Sequence, residues 1–429
     1  MGKLVKCLVC GEIFDADKNV CPVCGAGPES FVPYEPDEKE GIRNTEEIFL
    51  ILGNGAAGVN AAEEIRKRNE TCSIVMVSSE EVPGYNRPML TKTLSRPIDV
   101  NLLLIHDANW YENNRIINLL GKSAQKIDIK NREVQMSDGT RFRYDKCIYA
   151  LGASCFVPPF PGADLDGVIA IRNLKDVKRV QDLLADVTDV VVIGGGVLGL
   201  EAAWELKKAG RNVTVLEQEP HIMNRQLDET SSLILEELVK KAGIGLMTSA
   251  ATELINGDGK VGGVTLKGGQ YLPAQMVIVS CGIRANTQVA ADAGIEIKRA
   301  VVVNDKMETS VPGIYACGDC AELGGINYGI WPQAVNMGKT AGANAAGASL
   351  HYQPEEPMLT FLGMDTKLFA MGDIGKNPGL TYRIEEKKDE AGTYEKYFYV
   401  EDQLVGAVLI GDLSKMRMIM DKIKCSHKI

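Results

Sequence analysis

Histidine is scarce: the 429 residues include only four, at positions 106, 221, 351 and 427, and none stands beside a glycine-rich motif. Chemistry that depends on a histidine acid or base is therefore not indicated. Basic charge is also short, with 47 Lys and Arg against 57 Asp and Glu, a net charge of -10 and a pI near 5.2. That balance argues against a surface built to track nucleic-acid phosphates. Apolar runs are brief, residues 190 to 193 being typical, and none approaches the ~18 residues of a membrane span. An apolar signal core is missing as well, since Met-Gly-Lys-Leu-Val-Lys leads straight to Cys7, so a cytoplasmic location is expected. A disulfide scaffold is not expected either, because four of the eleven cysteines crowd into the first 24 residues and the others are scattered.

What remains is a folding composition, 45% hydrophobic and 24% charged, in a chain too long for one core. Its early cysteines form two knuckles, Cys7-Leu-Val-Cys10-Gly11 and Cys21-Pro-Val-Cys24-Gly25, separated by ten residues. Each knuckle offers two thiolates from one tight turn, and together they predict a tetrahedral sulfur cage for iron or zinc. A zinc ribbon that merely staples a small domain is the simpler outcome. The acidic, proline-containing stretch after it reads as a linker.

The 44 glycines concentrate the remaining signal. An apolar strand, 48 to 52, runs into Gly53-Asn-Gly55-Ala-Ala-Gly58 and then a helical pattern. In such a unit the first glycine turns the chain, the second lets the backbone approach a pyrophosphate, and the third lets helix pack on strand. The next strand leads to Glu80, a candidate partner for an adenosine ribose. A second copy, Gly194-Gly-Gly196-Val-Leu-Gly199, follows strand 190 to 193 and is itself followed by a strand ending in Glu217. A carboxylate there accepts from a ribose hydroxyl and repels a 2'-phosphate, which favours NADH over NADPH.

These loops, with Cys147-Ile-Tyr-Ala-Leu-Gly152, Ser280-Cys-Gly-Ile-Arg-Ala-Asn286 and Thr309-Ser-Val-Pro-Gly-Ile-Tyr-Ala-Cys-Gly-Asp319, resemble the two-dinucleotide flavoprotein superfamily over about residues 47 to 429. The resemblance implies an α/β chain with two Rossmann-like domains, for FAD and NAD(H), plus a small α+β C-terminal domain. It implies FAD binding by the first loop, Gly152 and Asp319, and nicotinamide nucleotide binding by the second. No cysteine lies between Cys72 and Cys147, where disulfide-reducing branches keep theirs. The stretch Tyr85-Asn-Arg87-Pro-Met-Leu-Thr-Lys92 is instead similar to that of rubredoxin and ferredoxin reductases. There the lysine lies near the flavin and pairs with a glutamate, which implies catalytic roles for Lys92 and Glu201. Arg87 joins the cofactor-binding set. Cys317 and Cys320 are expected to serve packing rather than redox relay.

Residues 3 to 34 similarly resemble a shortened rubredoxin, closer to the module of rubrerythrins, which implies redox iron on Cys7, Cys10, Cys21 and Cys24. The expected domains are a cysteine module over 1–35, a linker over 36–46, FAD-binding segments 47–157 and 285–350, a NAD-binding segment 158–284, and a C-terminal interface domain 351–429. Dimerisation is implied only by analogy. The expected activity carries electrons from NADH through FAD to the fused iron centre. Beyond it, the resemblance implies an acceptor such as a rubrerythrin, a superoxide-reducing protein or a flavodiiron protein. An NADH oxidase or nitrite-reductase-like flavin subunit with a zinc docking ribbon is the alternative.

Overall fold

A strand buried on both faces must be apolar along its whole length, and the two runs that precede the glycine loops meet that condition. In the structure, a computed structural model describing residues 3–9, 12–22, 25–34, 43–390 and 392–426, each run occupies the centre of a five-stranded parallel sheet. The first sheet has the order Ile314–Ala316, Lys146–Tyr149, Ile48–Leu52, Ser73–Val77, Ile116–Leu119. The second has the order Val168–Ile169, Met276–Val279, Asp189–Ile193, Asn212–Leu216, Gly245–Met247. In both, the chain runs from the strand before the glycine loop to a neighbour on one side and returns later to pair on its other side. A crevice therefore opens beyond the carboxyl ends of the strands.

Helix Ala56–Arg68 leaves the first loop and packs against helix Trp331–Ala345. Their approach is close because Gly338 and Gly342 face Ala57 and Ala61. A methyl group on either glycine would stand 2.2 or 2.3 Å from a carbonyl oxygen of the opposite helix. Into each parallel sheet a three-stranded antiparallel ribbon is inserted before the chain returns to the sheet, Ala124–Asp128 with Glu133–Met136 and Arg141–Arg143 ahead of Lys146–Tyr149, and Thr252–Asp258 with Lys260–Leu266 and Tyr271–Pro273 ahead of Met276–Val279. The chain crosses between the two units twice, and the crossings, Ala153–Cys155 and Ile283–Ala285, pair antiparallel with each other.

Beyond residue 357 the chain forms an antiparallel sheet in the order Met358–Gly363, Thr366–Gly372, Gln403–Ile410, Tyr394–Val400, Tyr382–Lys388, followed by helix Met416–Ser426. Its residues alternate between two cores, with one irregularity where Phe398 and Tyr399 pair with the neighbouring strand. Phe361, Leu368, Ala370, Phe398, Val408 and Ile410 face the second nucleotide unit and the Tyr85–Leu94 turn. Phe369, Met371, Tyr397, Ala407 and Leu409 face the C-terminal helix. Fully burying each large aliphatic side chain of this kind contributes about 1.5–3 kcal/mol. Lys396 is the exception on the inner face: it is buried, and its ammonium donates to Asp228 at 2.6 Å at the start of helix Glu229–Lys241.

The N-terminal module is a three-stranded antiparallel sheet, Ile13–Asp15, Leu4–Cys7, Phe31–Tyr34, closed by the short turn Pro28–Ser30. Phe14 and Phe31 meet edge to face at 4.9 Å above a small core that includes Cys7, Cys21 and Ala26. Cys10 and Cys24, two of the four expected metal ligands, lie outside the described residues, as does most of the expected linker. Its last residues are tied down. Arg43 donates its N–H to Arg68 at 2.8 Å, and Thr45 exchanges hydrogen bonds with Asn69. Among the described residues, no helix is long and apolar enough to cross a membrane.

Candidate active site

A cavity of about 1050 Å³ lies where the first unit, the second unit and the C-terminal sheet meet, large enough for a dinucleotide. Its floor is the first glycine loop. Gly53 adopts φ +116°, closed to ordinary side chains, and a Cβ there would stand 2.1 Å from the Ala150 carbonyl. Gly58 is held equally close to the Gly53 carbonyl, whereas a Cβ on Gly55 would meet nothing and point into open space. The helix that follows starts at Ala56 with no side-chain cap and no acidic residue in its first turn. Its first N–H groups and positive dipole end are thus left for an anion, an arrangement that fits the pyrophosphate of FAD.

The second loop repeats this geometry. Gly194 has φ +115° over the Ser280 carbonyl, Gly199 abuts Gly194, Gly196 is open, and helix Val197–Lys208 is again uncapped. Of this loop and its helix, Val197 and Leu198 reach the cavity. Glu217 does not line the cavity; one of its oxygens accepts from the Gly195 N–H at 2.8 Å and the other from the Glu219 N–H at 2.9 Å, which holds the carboxylate against the second loop.

Glu80, Arg87, Gly152 and Asp319 all line the cavity. The carboxylate of Glu80, the expected ribose partner, accepts from the Tyr85 hydroxyl at 2.6 Å and from Arg87. Arg87 also donates to the Arg172 carbonyl at 2.7 Å and so staples the turn to the segment leading into the second unit. Asp319 accepts from the Arg172 guanidinium at 2.7 Å. Sequence reasoning missed Arg172. The available signal was Asn173-Leu-Lys-Asp176, a reciprocal capping box that fixes the residue just before it. It missed the C-terminal wall as well, where Met358, Met371 and Asp373 line the cavity.

Lys92 and Glu201 come together behind this wall. Thr91 lines the cavity and donates its hydroxyl to Glu201 at 2.6 Å, while the Lys92 ammonium lies 3.7 Å from the other Glu201 oxygen. Burial raises the Glu201 carboxyl above its ordinary value, against the opposing pull of Lys92 and Thr91. Cys317 and Cys320 are completely buried, and burial pushes Cys320 up to about 12. A thiolate relay is accordingly unfavourable there.

In the N-terminal module the Cys7 N–H donates to Glu12 and the Gly25 N–H to Cys21, at 2.7 and 3.0 Å, with Gly25 at φ +74°. Both described cysteines are buried, as ligands of a closed sulfur cage would be. Among the described residues no group of three or more His, Cys, Asp or Glu is gathered for a metal.

Two glycine loops of matching geometry, the first flooring the cavity and the second sending the start of its helix to the same cavity, are the architecture of a fold that binds two dinucleotides. The chain belongs to the pyridine nucleotide-disulphide oxidoreductase family, which it matches over residues 49–341, and residues 357–427 match the rubredoxin NAD+ reductase C-terminal domain. It is 35% identical over 385 residues to a nitrite reductase [NAD(P)H] of Bacillus subtilis (strain 168), covering 88% of this chain and 47% of that protein. The chain thus spans about half the length of that relative. It is 30% identical over 390 residues to the NADH-rubredoxin oxidoreductase of Clostridium acetobutylicum, covering 89% of this chain and 96% of the relative. Among solved structures, a ferredoxin reductase from Rhodopseudomonas palustris superposes with a TM-score of 0.80 at 26% identity, covering 88% of this chain and 95% of that one.

Proposed function

We propose that this chain oxidises NADH and delivers the electrons singly, through FAD, to an iron centre on Cys7, Cys10, Cys21 and Cys24, and from there to an acceptor protein. The observation that carries the reading is the meeting of both uncapped glycine-loop helices at one cavity. When bound, FAD supplies an acceptor for hydride and a means of releasing electrons one at a time. The chain's own residues do the rest. Gly55 and the start of helix Ala56–Arg68 would hold the pyrophosphate, and Asp319, steadied by Arg172 at the cavity wall, would hold the sugar chain. Lys92, held by Glu201 beside the cavity-lining Thr91, would supply positive charge to offset the negative charge that reduction brings. Glu217 accepts from the nicotinamide nucleotide's ribose and disfavours NADPH.

Support for a small redox protein as acceptor comes from the likeness to an NADH-rubredoxin oxidoreductase along nearly its whole length. A rubrerythrin, a superoxide-reducing protein or a flavodiiron protein would serve. The similarity to a nitrite reductase favours a second reading, a flavin subunit whose cysteine module is a zinc docking ribbon. An anaerobic NADH titration followed by visible absorption and electron spin resonance separates the two. Loss of a ferric signal after flavin bleaching supports the relay. A colourless, silent metal in protein prepared with ample iron overturns it.

A further inference from the structure

The outer face of the C-terminal sheet does not end at the C-terminal helix. Leu8, which sits between the cysteines of the first knuckle, packs against the same apolar cluster as Met371, Met416 and Ile419. The turn Pro28–Ser30 rests on helix Met416–Ser426, and Glu29 accepts from the Lys367 ammonium at 2.9 Å. The Leu8 N–H donates to Ser30 at 2.8 Å, so the knuckle and the turn present one contact surface. On the other side, Met358 and Met371 are cross-strand partners that line the cavity and also touch this outer cluster. The cavity and the cysteine module thus share one seam of packed, polarisable side chains, about one layer spacing, ~10 Å, in depth.

We propose that the N-terminal cysteine module docks in cis on the outer face of the C-terminal sheet, through Leu8 and the Glu29–Lys367 pair, and that electrons cross to it along the Met358–Met371 seam. The docking stands on the contacts alone, whereas the electron route rests on the function proposed above. For each turnover, one NADH and two ferric ions give one NAD+, one proton and two ferrous ions. A single bound iron must therefore be emptied by the acceptor between two successive crossings. A tether that carries the module on wide excursions is not needed.

Hydrogen exchange and rapid-mixing kinetics on the full-length holoenzyme test both parts. In the intact protein, amides of helix Met416–Ser426 exchange slowly, and NADH-driven bleaching of the metal is first order with a rate independent of protein concentration. Leu8→Asp accelerates exchange in that helix at least fivefold and slows bleaching at least tenfold. Lys367→Glu, remote from the module's own fold, does both by two- to fivefold, and adding Glu29→Lys to it restores the original values. Exchange unchanged by Leu8→Asp and Lys367→Glu, or a bleaching rate that rises with protein concentration, overturns the cis docking. A helix protected beneath a module whose metal never bleaches sustains the docking, and overturns the route along with the function from which it was drawn.

Discussion

Lys92 and Glu201 belong to different nucleotide-binding units, yet the Lys92 ammonium lies 3.7 Å from a Glu201 oxygen, and neighbouring Thr91 holds the other oxygen at 2.6 Å. Lys92→Ala is expected to slow NADH-driven flavin reduction roughly 10- to 100-fold while FAD stays bound, as read by stopped-flow absorbance and cofactor retention. Unaltered reduction would remove Lys92 from the chemistry.

The same pair makes stability depend on pH. Burial first of all raises the Glu201 carboxyl above 4.5, so its contribution is complete below that pH and fades as pH climbs through the raised value. Glu201→Gln has no such titration. Thermal melts from pH 4.5 to 8 should show the parent losing ground to Glu201→Gln as pH rises, and the opposite trend would contradict the assignment.

Gly55 and Gly196 both have negative φ, -98° and -81°, and in both cases an added Cβ would meet no other part of the protein. Valine at either position costs the fold only about 1 kcal/mol. Gly55→Val is expected to yield folded, colourless protein that has lost FAD, and Gly196→Val yellow protein whose KM for NADH rises more than tenfold. Retention of both nucleotides would show that the loops do not cradle pyrophosphate.

Gly338 has no such freedom. A methyl group would stand 2.2 Å from the Ala57 carbonyl, so Gly338→Ala must spread two helices and costs about 1–3 kcal/mol, measurable by urea unfolding of the holoprotein. An unchanged midpoint would mean the helices part without penalty.

Lys396 spans the C-terminal sheet and the second nucleotide unit through Asp228, with Glu386 at 3.6 Å. Lys396→Ala leaves a part-buried carboxylate without its closest cation and is expected to cost about 3 kcal/mol. Limited proteolysis should then cut between the two parts before either is degraded. A melting temperature equal to the parent's would refute this.

Much of the architecture could be read from local pattern. Continuous apolar runs ending in glycine mark the centres of parallel sheets, because only a doubly covered strand can be apolar on both faces. Gly53 and Gly194 stand at the turns their spacing implies, under the Ala150 and Ser280 carbonyls. Contacts made by residues without a repeating neighbour were not legible. Arg172 reaches Asp319 across a gap of more than a hundred residues; the capping box after it fixes its backbone but does not announce which carboxylate it meets. Glu80 lies at the cavity as its position after the strand suggests, but its bonds to Arg87 and Tyr85 were not legible. The resemblance implied a C-terminal domain over 351–429, but which face of its sheet would look into the cavity depended on where the sheet docked. The resting place of Leu8 was likewise invisible, since one leucine between two cysteines carries no address.

The paired crossings Ala153–Cys155 and Ile283–Ala285 limit how the two nucleotide units can move. Both passages run in a single ladder, so a shearing motion would have to break its rungs, whereas a rocking motion only twists it. The Lys92–Glu201 pair and the Arg87 bond to Arg172 join the same two units away from this ladder, so the two glycine loops keep one alignment across the space between them.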